Sequence, residues 1–217
     1  MKPKAISHLL AAALVALATG TALAQAPITT TARESLSIER PNAAATHELR
    51  LTLAVLEGSG WTREALLPIV RQAASLLVQC DIALATVELV HINAPARFRD
   101  YATQTARELA RALPLARPTV YFVADTRQRP AFDAEAIGRA NSRTRPELAD
   151  TVWMTRATRD PGIALAHEMV HVLTDSGEHS DEDGNLMREN TSPQNTRLSA
   201  EQCARLRAVG AANGFLR

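Results

Sequence analysis

The chain has 217 residues, 46% of them hydrophobic and 4% aromatic, with 24 Lys and Arg against 23 Asp and Glu. A balance so near neutrality excludes the strongly basic character of nucleic-acid binders and of proteins held to anionic membranes. The length suits one domain with an ordinary buried core.

The chain begins MKPKAISHLLAAALVALATGTALAQAP. Lys2 and Lys4 precede an apolar run, and Ala22-Leu23-Ala24 precede Gln25, the pattern of a secretory signal peptide cut after Ala24. Thr19, Gly20 and Thr21 interrupt the run and leave it short of the roughly 20 apolar residues of a bilayer span. The expectation is a signal peptide over residues 1–24 and a mature protein in the periplasm or outside the cell, free of the membrane. Without Lys2 and Lys4, 22 basic residues face 23 acidic ones, so no nucleic-acid partner is expected. Cys80 and Cys203 are the only cysteines, and an oxidising compartment favours a disulfide between them.

Residues 25–46 are polar, rich in Thr and Ala, and without period, which reads as a flexible lead-in to one domain over 47–217. From 47 to 56, HELRLTLAVL alternates as a strand does, and Gly58 and Gly60 end it. Leu66, Ile69, Val70, Ala73 and Leu77 recur at helical spacing over 62–80. A strand over 85–92 and a helix over 99–113 follow, the helix placing Ala102, Ala106, Leu109 and Leu113 on one face and ending at Pro114. TVYFVA at 119–124 has the character of a buried central strand.

Residues 125–150 are polar and rich in Arg, a surface excursion with a short edge strand near Ala136. TVWMTR at 151–156 is another strand, and Asp160-Pro161 is placed to cap the next helix. This order, β, α, β, α, β, β, β, α, is that of an α/β (α+β) domain with helices packed on a sheet. Trp61 and Trp153 are read as core or cleft-lining, and His47 and His91 as ordinary strand histidines.

The chemistry concentrates in HEMVHVLTDSGEH, residues 167–179. His167 and His171 are four apart, so on a helix both imidazoles meet one ion, and Ile163, Ala166, Val170 and Leu173 form an apolar stripe beside them. Glu168 follows the first ligand directly, where its carboxylate suits a general base acting on water at a zinc ion. The chain is expected to turn at Gly177 and return a third ligand to the metal. His179 is the favoured residue because imidazole suits zinc, with Asp175 as chief competitor and Glu178 and Asp181 beside it.

His167, Glu168 and His171, with Met187 in GNLM downstream, resemble the metzincin clan of zinc metallopeptidases, whose pattern is HExxHxxGxxH followed by a methionine turn. The match departs from that pattern at Thr174, in the glycine position, and at Gly177, in that of the third histidine. His179 lies 12 residues after His167 where the clan has about 10, so the turn is two residues longer. The resemblance implies a mixed twisted sheet, a helix after the methionine turn, an edge strand near Ala136 to Ala140 lining the cleft, a Zn2+ cofactor and a peptide or protein substrate; a monomer is expected. Ser199-Ala200-Glu201-Gln202 reads as the capping box of that last helix, with Leu198 and Cys203 placed as its hydrophobic staple. Two other readings stand beside it: a gluzincin-like hydrolase with Glu189 or Glu201 as ligand, and a non-catalytic module stabilised by zinc in a closed four-ligand site.

Overall fold

In the computed structural model, which describes residues 26–38 and 45–217, the alternation over 47–56 becomes a central strand. Leu51, Leu53 and Val55 face one core layer, while Ala54 and Leu56 face a second layer on the other side of the sheet. The strands are β1 (Thr29–Leu36), β2 (His47–Leu56), β3 (Ile82–Asn93), β4 (Thr119–Phe122), β5 (Ala134–Ile137) and β6 (Thr151–Met154). They form one six-stranded sheet in the order β1-β3-β2-β4-β6-β5. The four inner strands run parallel, and each edge strand is antiparallel to its neighbour. This mixed sheet with its helices is the α/β (α+β) architecture expected.

The helices divide between the two faces according to their apolar stripes. Helix α1 (Arg63–Leu77) starts at Thr62, whose side chain accepts the Ala65 amide, and buries the five residues of the expected stripe. Helices α3 (Pro161–Thr174) and α4 (Ala200–Ala212) share that face with it, while α2 (Thr103–Ala112) covers the other. Fully buried leucines such as Leu66 and Leu77 contribute about 1.5–3 kcal/mol each. Helix α2 starts four residues later than its spacing indicates. The Tyr101 amide is committed to the Asp125 carbonyl at 2.8 Å, and Ala102 is extended at φ −145°.

Two further elements differ from expectation. Residues 29–36, within the expected flexible lead-in, form β1, although only Leu36 is buried. What holds them is the ladder with β3 and polar pairs across it. Arg33 lies 3.0 Å from Glu88, and Glu34 meets both Arg63 and His91. An edge strand wet on both faces leaves no hydrophobic period to read. The edge strand of the Arg-rich excursion, expected near Ala136 to Ala140, runs over Ala134–Ile137.

Cys80 and Cys203 form a disulfide, their Cα atoms 4.8 Å apart, that ties α4 to the end of α1. The C-terminal residue Arg217 exchanges backbone hydrogen bonds with Glu48 at the start of β2. Both tryptophans serve the core. Trp61 meets Phe122 edge-on and donates to the Val123 carbonyl, and Trp153 stacks on Tyr121. The expected signal peptide lies outside the described residues.

Candidate metal centre

Helix α3 is apolar on nearly every side, and from Gly162 to Thr174 each residue is buried. It packs so closely on α1 that a Cβ at Gly162 would lie 2.3 Å from the Gln72 side chain. The helix is thereby fixed in rotation, and His167 and His171 face a cleft beside β5. Its start departs from the expected cap. Asp160 sits at the N-cap in the left-handed region (φ 48°), and its carboxylate accepts no capping hydrogen bond. The Asp160 carbonyl takes the Ile163 and Ala164 amides instead.

The helix ends at Thr174, and the residue that turns the chain is Asp175 (φ 47°), not Gly177. The Asp175 amide reaches the His171 and Val172 carbonyls, a helix terminus usually given to glycine or asparagine. Its side chain points to β5's extension and accepts the Ala140 amide at 2.9 Å. Gly177 stands in open space. The returning segment is tied down by Ser180, whose amide donates to the Met187 carbonyl at 2.8 Å. Glu178 is taken by an ion pair with Arg205.

This turn brings His179 to the other two histidines. Its ring centre is 5.3 Å from that of His167 and 4.9 Å from that of His171. One nitrogen of each ring lies within 4.8 Å of the others, close enough for the three to hold a metal ion. Asp175, Glu189 and Glu201 are not part of this cluster, and no fourth His, Cys, Asp or Glu joins it among the described residues.

The tautomers are set by backbone carbonyls. His167 Nδ1 lies 2.8 Å from the Leu186 carbonyl oxygen, and His171 Nδ1 lies 2.7 Å from that of Ser176. Each Nδ1–H donates, so each Nε2 keeps its lone pair, and the two Nε2 atoms face one another at 3.0 Å. Two lone pairs directed at each other are unfavourable unless a cation lies between them. Ligands about 2.0–2.1 Å from a tetrahedral ion stand roughly 3.3 Å apart, so the donor set fits zinc. Burial holds both imidazoles neutral: it lowers His167, and it lowers His171 to about 4 with help from His167. Neutral imidazole is the form that binds a metal.

Glu168 is buried beside the cluster, where desolvation raises its pKa to about 8. The Ala136 amide of β5 opposes that rise and Glu135 adds to it. A cation held by the imidazoles would draw the carboxyl back toward its ionised form. Met187 is 3% exposed and lines a small cavity of about 120 Å³ next to His179. Asn185, which has no obvious sequence signal, organises this turn. Its Oδ1 accepts the Met187 amide at 2.9 Å, and its Nδ2 donates to Gln202 in the capping box of α4.

Cavities of about 480 and 360 Å³ open on either side of the cluster and share His167, Glu168, Ala134 and Glu189 as walls. Together they make a cleft along β5 with the imidazoles at its middle. The residues missed by sequence reasoning are mostly backbone groups, the Leu186 and Ser176 carbonyls and the Ala136 amide, which no side-chain pattern encodes.

Among solved structures, the fold is similar to that of metalloproteinase-II from Bacteroides fragilis, with a TM-score of 0.55 at 19% sequence identity. The alignment covers 81% of this chain and 57% of that one, so the chain spans little more than half that protein's length. No protein-family model and no curated protein matches the sequence. At this identity the likeness is one of fold, and the site rests on its own geometry.

Proposed function

We propose that this protein is a secreted or periplasmic zinc-dependent endopeptidase of metzincin type. In this reading His167, His171 and His179 hold the ion and Glu168 is the general base. The observation that carries it is the convergence of three imidazoles, two with Nδ1 bonded to carbonyls, beside a buried carboxyl group in an open cleft. Three protein ligands facing a cleft suit catalysis, whereas a purely structural zinc site is closed by four. Met187 and the metalloproteinase-like fold support the clan assignment.

Bound zinc supplies a Lewis acid that polarises the scissile carbonyl and acidifies water. The chain's own groups do the rest. Glu168 takes a proton from the attacking water on its carboxylate and delivers it to the leaving amine. Strand β5 offers its free edge to an extended peptide, which aligns the scissile bond over the imidazoles. The Leu186 carbonyl orients His167, and Met187 stands beside His179 in the small cavity they share. The disulfide supports an extracytoplasmic site of action.

Metal analysis of purified variants tests the ligand set. The wild type and Asp175→Ala are expected to bind one zinc per chain and His179→Ala to lose it; full zinc in His179→Ala contradicts the assignment.

A further inference from the structure

The larger cavity beside His167 and Glu168 is lined by Asp133, Asp160 and Glu189, with Arg159 as the lone cation. None of these four makes an ion pair among the described residues. Several other carboxylates do find arginines: Glu108 meets Arg97, Glu147 meets Arg107 and Arg111, and Asp150 meets Arg139. This wall keeps three carboxylates unmatched. Asp160 stands at a helix start, where a carboxylate ordinarily caps, and it makes no such bond.

The apolar wall of the same cavity comes from Ala131, Ala134 and Ala164, whose short side chains leave length for a long one. The cavity of about 380 Å³ at the far end of the sheet is different in kind. There Arg33, Arg50 and Arg117 face Glu34 and Glu88, and the Arg33–Glu88 pair closes on itself. The cavity beside the histidines instead gathers three carboxylates without an ion pair around one arginine.

Resting on the peptidase reading, we infer that the cleft takes cationic peptide segments, with a Lys or Arg side chain next to the scissile bond entering the Asp133–Asp160–Glu189 cavity. The aliphatic stem lies along the alanines and the charged head reaches the carboxylates. Three acids against one arginine leave the cavity net negative without counting Glu168, and a cleft wall focuses that field on the entering group.

The test measures binding apart from turnover. Zinc-loaded Glu168→Gln protein is titrated with a fluorescent Ala/Gly peptide carrying one Lys, and with its norleucine twin, which has the same stem and no charge. The Lys peptide is expected to bind about five-fold more tightly or better at low salt, and the ratio to fall as salt rises. Adding Asp133→Asn and Glu189→Gln is expected to bring the ratio near unity. Equal binding of the two peptides, or a ratio unchanged by the added substitutions, overturns the inference. The peptidase reading fails separately, if the zinc-loaded wild type leaves both peptides and an unfolded protein uncut.

Discussion

His167 Nδ1 and the carbonyl oxygen of Leu186 stand 2.8 Å apart, which couples the motif helix to the turn that carries Met187. That turn is held in its own right by Asn185, whose side chain meets the Met187 amide, Glu182 and Gln202. Asn185→Ala strands buried partners and is expected to cost about 2–3 kcal/mol. Because it loosens the carbonyl that orients His167, zinc affinity should also fall about 10- to 100-fold. Thermal unfolding and competition with a chelator measure the two effects. Unchanged zinc affinity would show that the turn does not position the ligand.

The metal-free protein should carry a pH signature from Glu168. Its pKa is raised from 4.5 to about 8 in the folded chain, chiefly by burial. The stability contributed by its protonated form is therefore fully present below 4.5 and is lost as pH rises through 8. Glu168→Gln removes that loss. The variant's Tm should match the wild type near pH 4.5 and exceed it at pH 8.5, by roughly 5–10 °C for an on-the-order-of 3 kcal/mol effect. A difference independent of pH would contradict the buried position of this carboxyl group.

Asp175 joins the end of α3 to the segment that follows β5. It holds a left-handed backbone and accepts the Ala140 amide with its side chain. Asp175→Gly relieves the backbone and removes the tether, so stability should change by under about 1 kcal/mol. Cleavage of an extended peptide should nevertheless weaken about ten-fold, mainly in KM. Asp175→Asn keeps both the turn and the acceptor and should restore KM. Equal KM in all three proteins would assign Asp175 to folding alone.

How much of this was legible follows from what each residue needed. The stripe of α1 and the alternation of β2 depend on apolar period, and both appear at the residues that carry it. His167 and His171 share a helix face by spacing alone. Strand β1 gave no such signal, because its partners are polar and its ladder is backbone. The sequence points to Gly177 for the turn after α3, since glycine is the usual left-handed residue. Asp175 takes the same left-handed backbone, with its side chain tied to the distant Ala140 amide, and so displaces the turn by two positions. That shift still leaves chain enough to bring His179 over the helix, an outcome fixed by the Ser180–Met187 bond rather than by any motif.

Catalysis by Glu168 is tested by comparing zinc-loaded wild type with Glu168→Gln on an unfolded protein, with metal content measured in the same samples. The wild type should cleave it, and the variant should keep one zinc per chain while cleaving about 10²- to 10⁴-fold more slowly. A zinc-replete wild type that leaves the substrate intact, or a Glu168→Gln protein as active as the wild type, would contradict the assignment of a zinc peptidase with Glu168 as its base.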